Sequence, residues 1–184
     1  MNKRFVWIAL WLGLTMQQGL AQQVGTKDAA GDKEYARVCR EYELKSKNSV
    51  ELLKAYLKQY PDSRHANRVQ SMIASAYVNE EKYEDALNAF KSCDLEALPD
   101  KERDEAVCKM ATAYLKTGEL KEAKVWFTML QEVSKTHAAD ATFNLGYIDY
   151  AEQRYDQALK AFASLQKDKT YAPLVPYYMG EICL

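Results

Sequence analysis

The feature that most limits what this chain can fold into is an alanine followed four places later by a phenylalanine, a pair that occurs three times in step. Ala86 and Phe90 return as Ala123 and Phe127, and again as Ala158 and Phe162, at spacings of 37 and 35 residues. A preceding segment keeps the same step. Ile73-Ala74 with Tyr77 becomes Met110-Ala111 with Tyr114, then Leu145-Gly146 with Tyr150 one place late, and finally Met179-Gly180, 34 residues after Gly146. Apolar residues three and four apart mark one face of a helix. Short polar turns separate the halves at Asn79-Glu80-Glu81-Lys82, Lys116-Thr117-Gly118-Glu119 and Glu152-Gln153-Arg154. A helix pair of this length cannot bury its apolar face alone, so successive pairs must stack.

Helices are the only element the pattern supports. No stretch alternates apolar and polar residues as a half-buried strand would, and no Asn-Gly or Gly-Gly hairpin turn occurs. These residues resemble the tetratricopeptide repeat (TPR), which sets a small residue at its eighth place, alanine at its twentieth, and aromatics at its eleventh and twenty-fourth. The small residues let two antiparallel helices approach, and the rings fill the space between that pair and its neighbours. The resemblance implies an all-α fold, a right-handed superhelix of antiparallel helix pairs. Units are expected at about 32–66, in degenerate form, then 67–103, 104–138, 139–172 and an incomplete 173–184. In the first unit only the period of Tyr35, Val38, Cys39 and Tyr42 suggests a helix before Ser49, and Asp149 stands where an aromatic is expected.

The start of the chain speaks to compartment. Lys3 and Arg4 precede the apolar run Phe5 to Leu14, and Gly19-Leu20-Ala21 supplies the small residues of a cleavage site before Gln22. This reads as a signal peptide over residues 1–21, followed by a flexible mature N-terminus at 22–31. Cleavage removes two of the 25 basic residues and none of the 26 acidic ones, leaving 23 against 26, a net charge of about −3. Nucleic acid is excluded as a partner class by that balance, since its affinity rests on clustered Lys and Arg. Leu57-Lys58-Gln59-Tyr60-Pro61-Asp62-Ser63 resembles the phrase that closes a unit in exported TPR proteins of bacterial envelopes, and the Ala21-Gln22 junction resembles those of Bacteroidetes. The expected location is the periplasm or the periplasmic face of the outer membrane, held there at most peripherally.

Reactive groups are few. His65 and His137 are the only histidines, both placed on the surface before successive units and too few for a zinc site, which needs three or four converging ligands. No H-E-x-x-H, G-x-S-x-G or P-loop pattern occurs. Glu80-Glu81 and Glu84-Asp85 sit in a turn and a first helical turn, where carboxylates face water and complement the helix dipole. Cys39, Cys93, Cys108 and Cys183 fall in expected helices as small hydrophobes, with Cys93 to Cys108 the one disulfide pairing to check. The expectation is therefore no enzyme, no cofactor and no metal.

The resemblance implies instead a scaffold that holds a peptide or partner helix in a concave groove lined by the first helix of each unit. By register the groove residues run from Arg68, Ser71, Ser75, Val78 and Asn79 through Glu105, Cys108, Thr112, Leu115 and Lys116. They continue to Asp140, Phe143, Tyr147, Tyr150 and Ala151, then Leu174 and Tyr177. The lysines and asparagines of a carboxylate clamp are missing from the required places. The chosen contacts are Asn79, Thr112, Lys116, Phe143, Tyr147, Tyr150 and Tyr177, polar at one end and aromatic at the other. Because the last helix, expected near Tyr171 to Leu184, lacks a polar cap and a second helix, the chain reads as part of a longer array. The alternatives are a spacer that self-associates through that open end, and an arm of a larger envelope protein with its activity beyond Leu184.

Overall fold

The computed structural model describes residues 29–183, so the expected signal peptide and most of the expected flexible N-terminus lie outside the described residues. Within them are nine helices and no strand: α1 (29–43), α2 (Ser49–Gln59), α3 (Ala66–Asn79), α4 (Tyr83–Phe90), α5 (Asp100–Thr117), α6 (Leu120–Val133), α7 (Ala138–Ala151), α8 (Tyr155–Ser164) and α9 (Val175–Ile182). Residues 29–31, the described part of the stretch expected to be flexible, are helical and belong to α1. The fold is all-α, a TPR-like helical-repeat solenoid. No helix of the described residues is long and apolar enough to cross a membrane.

Four of the interhelical turns close in the same way, and the closure explains why the polar turns are so short. At the ends of α1, α3, α5 and α7 one residue adopts positive φ: Lys45 (51°), Glu81 (59°), Gly118 (84°) and Gln153 (59°). In each case the next amide reaches back five residues, as in Lys82 to Tyr77, Glu119 to Tyr114 and Arg154 to Asp149, and Ser46 to Glu41 in the first turn. A left-handed residue with this pair of backbone bonds satisfies carbonyls that the helix end would otherwise leave open. Only one of the four is glycine.

The chain divides into two compact units, Met1–Ala66 and Asn67–Leu184. In the first, Val38 of α1 is buried along with Val50, Leu53 and Tyr56 of α2. The Tyr56 hydroxyl lies 2.6 Å from Ser63 Oγ, and Ser63 Oγ also accepts the His65 amide at 3.1 Å. The ring of His65 stacks on Tyr35 with centroids 3.8 Å apart, and both His65 and Arg64 bond to Asp32. These bonds tie the residues after Tyr60 back to α1. His65 is therefore mostly covered, its side chain 15% exposed, rather than the surface residue expected from its loop position.

In the second unit each helix packs on the next, α4 on α5, α5 on α6, α6 on α7, α7 on α8 and α8 on α9. Helix α5 shows how the repeat works, because it carries two apolar faces one residue out of phase. Ala106, Met110 and Ala113 join Ala86, Leu87 and Phe90 of α4, whereas Val107 and Ala111 join Ala123, Phe127 and Leu130 of α6. The paired small residues are fully enclosed, Ala74, Ala86, Ala111, Ala123 and Ala158 among them, with Phe90, Phe127 and Phe162 buried beside them. At Gly146 a methyl group would meet Ala161 Cβ and Phe162 Cε1 at 3.0 Å, so α8 would have to give way to admit one, and glycine lets the α7–α8 pair approach closely.

Asp149 holds the place of an expected ring by a different interaction. Its carboxylate, 14% exposed, takes Lys124 Nζ of α6 at 3.1 Å and Arg154 Nη2 of the following turn at 2.6 Å. A charge cluster thus bridges α6, α7 and the turn where other units use an aromatic. Cys93 and Cys108, the one pairing to check, are both free thiols, as are Cys39 and Cys183. Cys93 lies in the α4–α5 connection and Cys183 just past α9, so neither is helical as expected.

Candidate functional site

Helix α7 places Phe143, Tyr147 and Tyr150 at successive three- and four-residue steps, hence on one face. Across from them, α9 presents Tyr177 and Tyr178. Tyr178 is the hub of the group. Its ring lies 5.3 Å from Phe162 in a stacked arrangement and meets Phe143, Tyr147, Tyr150 and Tyr177 nearly edge-on at 5.5, 6.1, 6.3 and 5.4 Å. Edge-to-face and offset rings are the favoured geometries of the aromatic quadrupole and add about 0.5–1.5 kcal/mol per pair beyond area burial.

The expected aromatic contacts therefore divide into two kinds. Phe143 is a packing residue, stacked on Tyr171 at 4.5 Å and tilted against Phe162 at 5.7 Å. Tyr150 is half-buried against Tyr155 and Tyr178. Tyr147 and Tyr177 remain open, 38% and 66% exposed, each touching the hub on one side only. Burial pushes the Tyr178 phenol up, and its tyrosine neighbours add to the shift.

At the polar end the expected contacts are less available. Asn79 is exposed, but its Oδ1 accepts Lys109 Nζ at 2.7 Å. The Thr112 hydroxyl bonds to the Cys108 carbonyl of its own helix at 2.8 Å, while Lys116 is exposed in the last turn of α5. No hydrogen bond or ring contact among the described residues joins these three to the aromatic group. Of the wider register, Ser71, Ser75 and Val78 are buried rather than lining a groove, and Ser71 hydrogen-bonds the Cys93 thiol. Burial, ahead of that bond, pushes the Cys93 thiol up to about 11, leaving it protonated and unreactive at neutral pH.

The sequence reading missed Tyr178 and Tyr171, both of which organise the α7–α9 region. Tyr178 falls one residue beyond Tyr177, a groove place in the register. Tyr171 precedes α9 and donates its hydroxyl to Asp140 Oδ1 at 2.7 Å; burial, then that carboxylate, raises its pKa. His137, expected on the surface, is 21% exposed and bonds Asp140 Oδ2 at 2.8 Å.

With this arrangement of helix pairs established, comparison with known proteins assigns it. The model of the TT21 fifth ARM repeats domain matches residues 67–184, well over half of the chain. The chain belongs to the TT21 fifth ARM repeats domain family. A tetratricopeptide repeat protein from Parabacteroides merdae ATCC 43184 is similar in structure, with a TM-score of 0.65 at 16% identity over 84% of this chain. The chain spans 60% of that protein's length. At such identity the likeness establishes the fold. No curated protein sequence matches it. The TT21-type region has two helices per unit at spacings of 37 and 35 residues, closer to a TPR step than to the longer ARM step. Both are helical solenoids, which serve in general as protein-interaction scaffolds and are typically non-catalytic.

Proposed function

We propose that this protein is an exported adaptor of a bacterial cell envelope that binds a peptide or partner helix across the face carrying Tyr147 and Tyr177. The observation behind the reading is the division within the ring cluster, in which Tyr178 is packed from several sides while Tyr147 and Tyr177 stay open around it. Tyrosines held in place on one side offer large contact area with a hydroxyl tip at little further entropy loss. Asn79 and Lys116 form a separate polar end of the same first-helix register, and Thr112 lies between with its hydroxyl already bonded. The periplasm or the periplasmic face of the outer membrane is the proposed location, on the signal-peptide pattern of residues 1–21.

The test is crosslinking of the full-length protein in the envelope of its source cell, with captured partners identified by mass spectrometry. A reproducible partner retained by wild type and lost in Tyr147→Ala/Tyr177→Ala, with thermal stability unchanged, supports the adaptor. Loss of stability with no selective loss of partner overturns it. A second reading, a self-associating spacer, has its own observation: α9 leaves Leu174 and Tyr177 exposed, and nothing lies within 4 Å of a methyl group placed on Gly180. Recovery of self-crosslinks alone, with mass rising with concentration, would favour that reading.

A further inference from the structure

Away from the open tyrosines, three elements of the second unit bring a thiol, an imidazole and a carboxylate together. Cys108 comes from the middle of α5, His137 from the residue that precedes α7, and Asp140 from the first turn of α7. One ligand atom from each lies within 4.8 Å of the other two. His137 Nδ1 and Asp140 Oδ2 are already 2.8 Å apart, and the second oxygen of Asp140 is held at 2.7 Å by the Tyr171 hydroxyl, from the segment between α8 and α9. All three candidate ligands are half-buried, so their surroundings are fixed while solvent still reaches them.

The geometry points to a divalent transition-metal site of zinc type, with Cys108, His137 and Asp140 as ligands and Tyr171 as the residue that orients the carboxylate. One sulfur, one nitrogen and one oxygen donor is the mixed set that suits a borderline-soft ion such as Zn2+, whereas Mg2+ and Ca2+ take oxygen donors. A tetrahedral ion about 2.0–2.3 Å from each donor requires donor separations of roughly 3–4 Å. The present separations, 2.8 Å at one edge and within 4.8 Å at the others, bracket that requirement. On binding, the Cys108 thiol gives its proton to solvent and the sulfur ligates as thiolate. The fourth position is left to water or to another donor. The Tyr171 contact is the outer-shell bond that metal-ligating carboxylates usually have. The histidine count at first argued against a metal, because a lone His is insufficient; Cys108 and Asp140 supply the missing donors from 29 and 3 residues away. The site joins α5 to the start of α7, two neighbouring first helices, and does not depend on the adaptor reading.

Titration of the full-length reduced protein with Co2+, followed by competition with Zn2+, tests the site. One equivalent of Co2+ is expected to bind with a near-ultraviolet thiolate-to-cobalt band that Zn2+ displaces. Cys108→Ser removes the band and Cys93→Ser keeps it. His137→Gln and Asp140→Asn weaken Zn2+ binding, and Tyr171→Phe weakens it by about 10–100-fold. Circular dichroism monitors the helical fold of each variant, and should Cys108→Ser fail to fold, His137→Gln carries the decision because its side chain is partly exposed. Absence of the band in wild type, its survival in Cys108→Ser, its loss in Cys93→Ser, or wild-type affinity in His137→Gln would overturn the assignment.

Discussion

Gly146 and Gly180 stand at the same place in successive repeat units, yet they meet opposite surroundings. Around Gly146, α8 closes so tightly that an added methyl would touch Ala161 Cβ and Phe162 Cε1 at 3.0 Å; around Gly180 there is nothing within 4 Å. The two glycines teach that the small residue of the repeat has no meaning as a residue. It is a demand made by a second helix packing across it, and where α9 offers that face to no second helix among the described residues the demand lapses. The same difference separates their neighbours: Leu145 is buried and Met179 half-buried, while α9 has Val175 as its one buried residue.

The comparison breaks most visibly at the rings. Phe162, fully buried and in contact with both Gly146 and Tyr178, is expected to cost about 3–5 kcal/mol when replaced by alanine, measured by urea denaturation. Tyr177→Ala, on a ring 66% exposed, should stay within about 0.5 kcal/mol of wild type. Equal losses at both sites would mean that α9 is covered in solution, and the contrast drawn from the glycines would fail.

Next in size are the glycines themselves. Gly146→Ala is expected to destabilise by about 1–3 kcal/mol through overpacking against α8, and Gly146→Ala combined with Phe162→Leu should recover part of the loss because the two sites share one contact. Gly180→Ala should instead stabilise by up to about 1 kcal/mol, the ordinary preference of alanine over glycine in an open helix. Opposite signs at one repeat position sharpen the comparison; the same sign would remove it.

The solenoid was legible because its determinants are local and periodic. Ala86, Ala123 and Ala158, each with a phenylalanine four residues on, specify close helix approach wherever they occur, and all three alanines are enclosed. The candidate sites were legible only in part, because they depend on which faces the neighbouring elements cover. Register put Phe143, Tyr147, Tyr150 and Tyr177 on one side, but only packing shows Phe143 filled in by Tyr171 and Phe162 while Tyr147 stays open. Asp149 could not be read as a substitute for a ring, since its partner Lys124 lies 25 residues earlier on another helix. The Cys108, His137 and Asp140 cluster escaped for the same reason. Nothing in one helix announces a ligand donated by the next.

Smaller shifts than the buried substitutions produce are expected in the turns, where packing plays no part and backbone strain can be isolated. Gly118 has φ of 84° and open space around its Cβ direction, so Gly118→Ala introduces no clash, only the left-handed penalty of an L-residue. That penalty is about 1–2 kcal/mol. The lower entropy of the unfolded alanine chain offsets about 0.4–1 kcal/mol of it. A net loss of about 0.5–1 kcal/mol in urea denaturation is the expected outcome. Glu81 and Gln153 occupy the corresponding positions of α3 and α7 with φ of 59° each, so the sign reverses there, and Glu81→Gly or Gln153→Gly should each stabilise by a similar amount. Should Gln153→Gly destabilise instead, the side chain itself would be holding the α7–α8 turn, and the four backbone closures could no longer be treated as equivalent.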